Sequence, residues 1–149
     1  MTNAATSQFI YVTFIRTTPE RLWSALTTPD FIKQYWFGMN CESSWTEGAP
    51  WRLVFADGRV ADMGEIVEAS PPRRLVIRWR NEFRPELKAE GYSRCTMELE
   101  PVKGAVRLTL THAIDCAESQ FIGAVSGGWP KILSNLKSLL ETGEPARTD

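Results

Sequence analysis

Residues 129–140 read "WPKILSNLKSLL", and their apolar members Trp129, Ile132, Leu133, Leu136, Leu139 and Leu140 recur at helical spacing. Lys131, Ser134, Asn135, Lys137 and Ser138 take the opposite side. Such a helix needs an apolar surface to cover its stripe, so the rest of the chain must supply one.

The residues before it do. In "VRLTLTH" (106–112) Val106, Leu108 and Leu110 share one face of a strand, and the next residue on that face is His112. Leu75, Ile77 and Trp79 likewise alternate with Arg74, Arg78 and Arg80, and Cys95, Met97 and Leu99 with Arg94, Glu98 and Glu100. Turn signals at "TEGAP", "ADGR", "SPPR" and "PVKGA" divide residues 41–114 into about six strands. Asp57-Gly58 suits a two-residue type I′ hairpin, which sets Trp51 opposite Gly64 and Asp62 on the face of Leu53. A slip of one residue would turn Glu65 inward instead.

Ahead of these strands, "QFIYVTFI" (8–15) reads as a strand, and "TTPERLWSAL" and "TTPDFIKQYW" read as two helix starts with Pro19 and Pro29 in the first turn. The sum is an α+β fold. One face of an antiparallel sheet is covered by the terminal helix, and the other is wet and lined with Arg and Glu. Proline is tolerated in a first turn and costly in a helix interior, so the last helix is expected to begin near Trp129. Gly127 and Gly128 would separate it from a short helix in "AESQFIGAVS" bearing Phe121, with Trp129 either a static core residue after a plain helix break or a gate on a jointed backbone.

A chain of 149 residues with 43% apolar and 23% charged residues is expected to form a single domain. A net charge of -1 argues against a nucleic-acid partner. No apolar run is long enough for membrane insertion, and the N-terminus lacks a signal-like segment, so a cytoplasmic protein is expected. The tails, residues 1–7 and 142–149, are expected to carry no function. Cys41, Cys95 and Cys116 form no CxxC pair, and His112 is the sole histidine, so neither a metal site nor a cofactor is expected. No GxSxG, phosphate-cradling loop or HExxH occurs, and no catalytic residue is assigned.

Four stretches, "TTPERLWSALTTPDFIKQYW", "GEIVEASPPRRLVIRW", "MELEPVKGAVRLTLTH" and "GGWPKILSNLKSLL", resemble in order and spacing the START-like (SRPBCC) superfamily. Within it they resemble homologues of the activator of the heat-shock-protein-90 ATPase. The resemblance covers residues 8–141 and implies a helix-grip fold: a curved antiparallel sheet around a long C-terminal helix, with an internal cavity. It also implies one of several roles: binding of lipids or other apolar molecules, cyclisation of polyketides, or action on chaperones.

Six tryptophans, several of them on the inward face, suit a cavity for a small hydrophobic or aromatic molecule. Trp36, Trp51, Trp79, Met97, Leu110, Phe121, Trp129 and Leu133 are the candidate lining, with His112 as a lone polar contact. Ligand binding is the leading reading. An aromatase/cyclase-like enzyme using the same pocket, with His112 moving a proton, is one alternative. A chaperone-regulating interaction domain using the outer sheet face is the other.

Overall fold

The computed structural model describes residues 6–146. In chain order its elements are β1 (Ser7–Ile15), α1 (Pro19–Thr27), α2 (Pro29–Tyr35), β2 (Asn40–Ser43), β3 (Pro50–Val54), β4 (Val60–Ser70), β5 (Arg74–Asn81), α3 (Pro85–Lys88), β6 (Ser93–Val102), β7 (Ala105–Ile114) and α4 (Gln120–Thr142). The strands form one antiparallel sheet in the order β1-β7-β6-β5-β4-β3-β2. The expectation for the tails falls mostly outside the described residues. Ser7, which is described, belongs to β1, and its hydroxyl donates to the Cys116 carbonyl at 2.6 Å.

The alternation read from the sequence sets the sheet's two faces. Leu75, Ile77, Trp79, Cys95, Met97, Leu99, Val106, Leu108, Leu110 and His112 are all buried. The intervening charges pair on the outside: Arg74 with Glu98 and Glu68, Arg78 with Glu65, and Arg107 with Glu100. Pro19 and Pro29 open α1 and α2 as expected. Thr18 caps α1 by accepting from the Arg21 N–H at 3.1 Å, whereas Thr28 makes no side-chain cap to α2.

The β3–β4 hairpin keeps the expected register by a different route. Only Gly58 adopts a positive φ, and Gly58 N–H donates to Phe55 C=O at 2.9 Å while Phe55 N–H donates to Arg59 C=O at 2.8 Å. That is a three-residue loop closed by a left-handed glycine. Its one-residue offset is undone by a bulge after Leu53, which restores the pairs Leu53–Asp62 and Trp51–Gly64. Gly64 also pairs with Trp79, so it lies between two tryptophans whose rings meet over it with centroids 4.3 Å apart. A Cβ there would fall 1.6 Å from the Arg78 carbonyl oxygen, so only glycine fits.

The terminal helix departs from expectation. It does not begin at Trp129; α4 is continuous from Gln120 to Thr142, with Pro130 inside it. Its start is fixed by Ser119, whose Oγ accepts from Ile122 N–H at 3.0 Å, and by Glu90, which accepts from Gln120 N–H at 2.8 Å and from Ser119 Oγ–H at 2.5 Å. Phe121, Ile122 and Trp129 are buried before the proline, and Ile132, Leu133, Leu136, Leu139 and Leu140 after it. Anchored on both sides, the helix tolerates the hydrogen bond that Pro130 cannot donate. The C-terminus closes on Gly143, left-handed at φ 91°, whose N–H donates to Leu139 C=O. The helix packs against β1, β7, α2 and α3, a helix-grip-like arrangement. A further turn of helix, α3, escapes the sequence reading altogether.

Candidate functional site

Two rows of the inner sheet face build the site. Leu53, Asp62 and Asn81 form one row across β3, β4 and β5, and Trp51, Gly64 and Trp79 form the next. Trp36, the residue that ends α2, and Trp129 of α4 close on Trp79 with ring centroids 6.1 and 5.7 Å away, and 5.5 Å from one another. Edge-to-face and tilted contacts of this kind are the favoured aromatic geometry.

Between this cluster and the N-terminal half of α4 lies a cavity of about 170 Å³. Trp36, Trp79, Phe121 and Trp129 line it, with Asp62 and Asn81 on its sheet side and Phe83, Arg84 and Leu87 toward α3. A smaller gap of about 30 Å³ sits among Trp36, Trp51, Trp79, Met97, Trp129 and Leu133. Of the nine expected site residues, seven line one space or the other, and Leu110 and His112 line neither.

His112 is sealed behind the tryptophans. Its Nδ1 accepts from Trp129 Nε1–H at 3.0 Å, and its Nε2 is 2.8 Å from Ser93 Oγ, which donates its own proton to the Trp79 carbonyl at 2.9 Å. The ring is therefore the neutral Nε2–H tautomer, with both nitrogens engaged. Burial pushes its pKa down to about 3. Trp129 correspondingly sits in mid-helix, buried, with its indole N–H committed to His112; it is a packed strut and not an exposed gate.

Asp62 is the acidic group that lines the cavity. Asn81 Nδ2 donates to its Oδ1 at 3.3 Å, and among the described residues no Lys or Arg pairs with it. Burial raises its pKa to about 6, against the opposing pull of the nearby Trp79 and Asn81 side chains. The Trp79 indole N–H itself is buried without meeting a hydrogen-bond acceptor at bonding geometry. Glu65, the other acidic residue of this strand, points outward to Arg78. Asn81, Phe83 and Leu87 are cavity residues that sequence reasoning misses. The signal available was the Pro85-Glu86 helix start, which folds the chain back over the end of β5 and carries Leu87 inward.

The thiols offer no nucleophile at this site: burial raises the Cys41 pKa to about 12 and raises that of Cys95 as well. Among the described residues no cluster of His, Cys, Asp and Glu is arranged to hold a metal, and no helix is long and apolar enough to cross a membrane.

Residues 16–141 match the family model described as activator of Hsp90 ATPase homolog 1-like protein. No curated protein matches the chain. Among solved structures, a Mesorhizobium loti protein is similar at TM-score 0.78 and 23% identity, over 96% of this chain and 99% of that one. The Aha1 dimer from Colwellia psychrerythraea is similar at 0.76 and 20%, over 92% and 98%. An HSP90 activator from Plasmodium falciparum is similar at 0.73 and 24%, over 89% and 95%. At these identities the structural likenesses establish the fold.

Proposed function

Since the chain belongs to the activator of Hsp90 ATPase homolog 1-like family, we propose that it is a binding domain whose partner is a chaperone ATPase of the Hsp90 kind. The observation that carries this reading is the match over residues 16–141, nearly the whole of the described chain. A surface suited to a protein partner accompanies it. Ile10, Val12 and Phe14 stand on the outer face of the edge strand β1, each about half exposed, beside the ion-pair ladder of β5, β6 and β7. Apolar side chains in a row on an exposed face, next to charge, are typical of contact surfaces. The reading places the protein in the cytoplasm, the compartment of free thiols such as Cys41, Cys95 and Cys116.

Adding the protein to a purified Hsp90-type chaperone should accelerate ATP turnover, and the double variant Val12→Lys, Phe14→Lys should lose the effect while staying folded. Unchanged turnover, together with no co-sedimentation of the two proteins, would refute the reading.

A second reading is supported by the cavity: a small hydrophobic or aromatic molecule bound among Trp36, Trp79, Phe121 and Trp129. Enzymatic use of the same pocket gains nothing from His112, whose two nitrogens are occupied and which lines no part of it.

A further inference from the structure

The cavity's dimensions restrict its occupant. A closed apolar space of about 150 Å³ holds one benzene-sized ring, so the roughly 170 Å³ of this partly open cavity seats a ring with a short substituent within its walls. Its chemistry is asymmetric. Trp36, Trp79, Phe121 and Trp129 supply aromatic surface, and of the two charged side chains in the lining, Asp62 and Arg84, the buried one is the Asp62 carboxylate, 8% exposed.

Among the described residues no cationic side chain pairs with that carboxylate. Arg84 also lines the cavity, but its guanidinium is held by Glu86 and is half exposed. Glu82, the other nearby acid, is neutralised by Arg80 and Lys88. A buried carboxylate met only by neutral donors among the described residues, the Asn81 amide and the nearby Trp79 indole, is costly to keep ionised, and a cation placed against it would recover that cost. Aromatic ring faces attract the same kind of group, because their quadrupole is negative above the plane.

Building on the reading of the cavity as a small-molecule site, we infer that its ligand is a small organic cation: a protonated amine carried on a single ring or a compact alkyl body. The nitrogen would face Asp62, and the apolar body would lie among Trp36, Trp79, Phe121 and Trp129. Asn81 positions the carboxylate, since its Nδ2 donates to Asp62 while its Oδ1 accepts from Arg84 N–H at 2.9 Å and so cannot turn.

Three probes of nearly equal size separate the contributions: benzylamine, benzyl alcohol and toluene, titrated calorimetrically at pH 8 into the full chain and into Asp62→Asn. Circular dichroism checks the fold of both. The parent should bind benzylamine at least about tenfold more tightly than benzyl alcohol, and Asp62→Asn should bring the two within about threefold. Equal affinities in the parent, or an amine preference that survives in Asp62→Asn, would overturn the cation assignment while leaving an apolar cavity site standing. No saturable binding of any of the three probes would overturn both.

Discussion

Asp62 and His112 titrate in opposite senses on folding. The folded protein holds Asp62 near pKa 6 against an ordinary value of 3.8, so between these values the folded state keeps a proton that the unfolded chain gives up. Asp62 therefore withdraws stability as pH rises from about 4 to about 6. His112, near 3 when folded and 6.5 ordinarily, withdraws stability as pH falls from about 6.5 toward 3. Asp62→Asn should accordingly be more stable than the parent above pH 6, by on the order of 2 kcal/mol, and the advantage should shrink to nothing near pH 4. Urea midpoints across this range measure it, and a pH-independent difference would contradict the assigned burial. Both residues were partly legible in sequence. Strand alternation is strict enough to turn His112 inward, and one register assumption places Asp62 beside Leu53. Their partners were not legible, because Trp129 and Ser93 reach His112 from 17 and 19 residues away through tertiary packing.

At the level of elements, the two errors share a cause: a local rule outweighed by anchoring elsewhere. Asp57-Gly58 suggests a two-residue turn, yet the chain forms a longer loop and cancels the shift with a bulge, because the inward set Trp51, Leu53 and Asp62 fixes the register from the other end. Pro130 suggests a helix start, yet the Ser119 and Glu90 cap and the buried Phe121 and Ile122 hold a helix in place before it. Gly127 and Gly128, in the turn ahead of the proline, leave its backbone free to adjust with no side chain to displace. Replacing Pro130 with alanine returns a donor for the Ser126 carbonyl and removes the ring, and should raise stability by about 1 to 3 kcal/mol. A lower thermal midpoint would show that the ring's packing outweighs the hydrogen bond it costs.

Across the whole molecule, the sheet ends in two edges that are protected differently. The β2 edge is only Asn40–Ser43, with Glu42 paired to Arg52, and so short an edge offers little to a neighbouring strand. The β1 edge runs from Ser7 to Ile15 without a charged residue or a proline, carries half-exposed Ile10, Val12 and Phe14, and has half-buried Phe9 and Tyr11 stacked on its other face. Such a strand invites pairing, and α4 blunts it at one end. Lys137 Nζ donates to the Phe14 carbonyl and pairs with Glu141, which in turn accepts from the Arg16 N–H at 2.8 Å. Lys137 is thus a clasp between the terminal helix and the sheet edge, although helical spacing alone puts it on the solvent side. Lys137→Ala should uncover the Phe14 carbonyl and lengthen the pairing edge, giving larger, concentration-dependent species by sedimentation velocity. Adding Val12→Lys to the same chain should reverse this, because a charge on the exposed stripe disfavours a second strand there. If Lys137→Ala sediments as the parent does at every concentration, the clasp serves only to hold the helix, and the β1 edge must be guarded by the strand's own geometry.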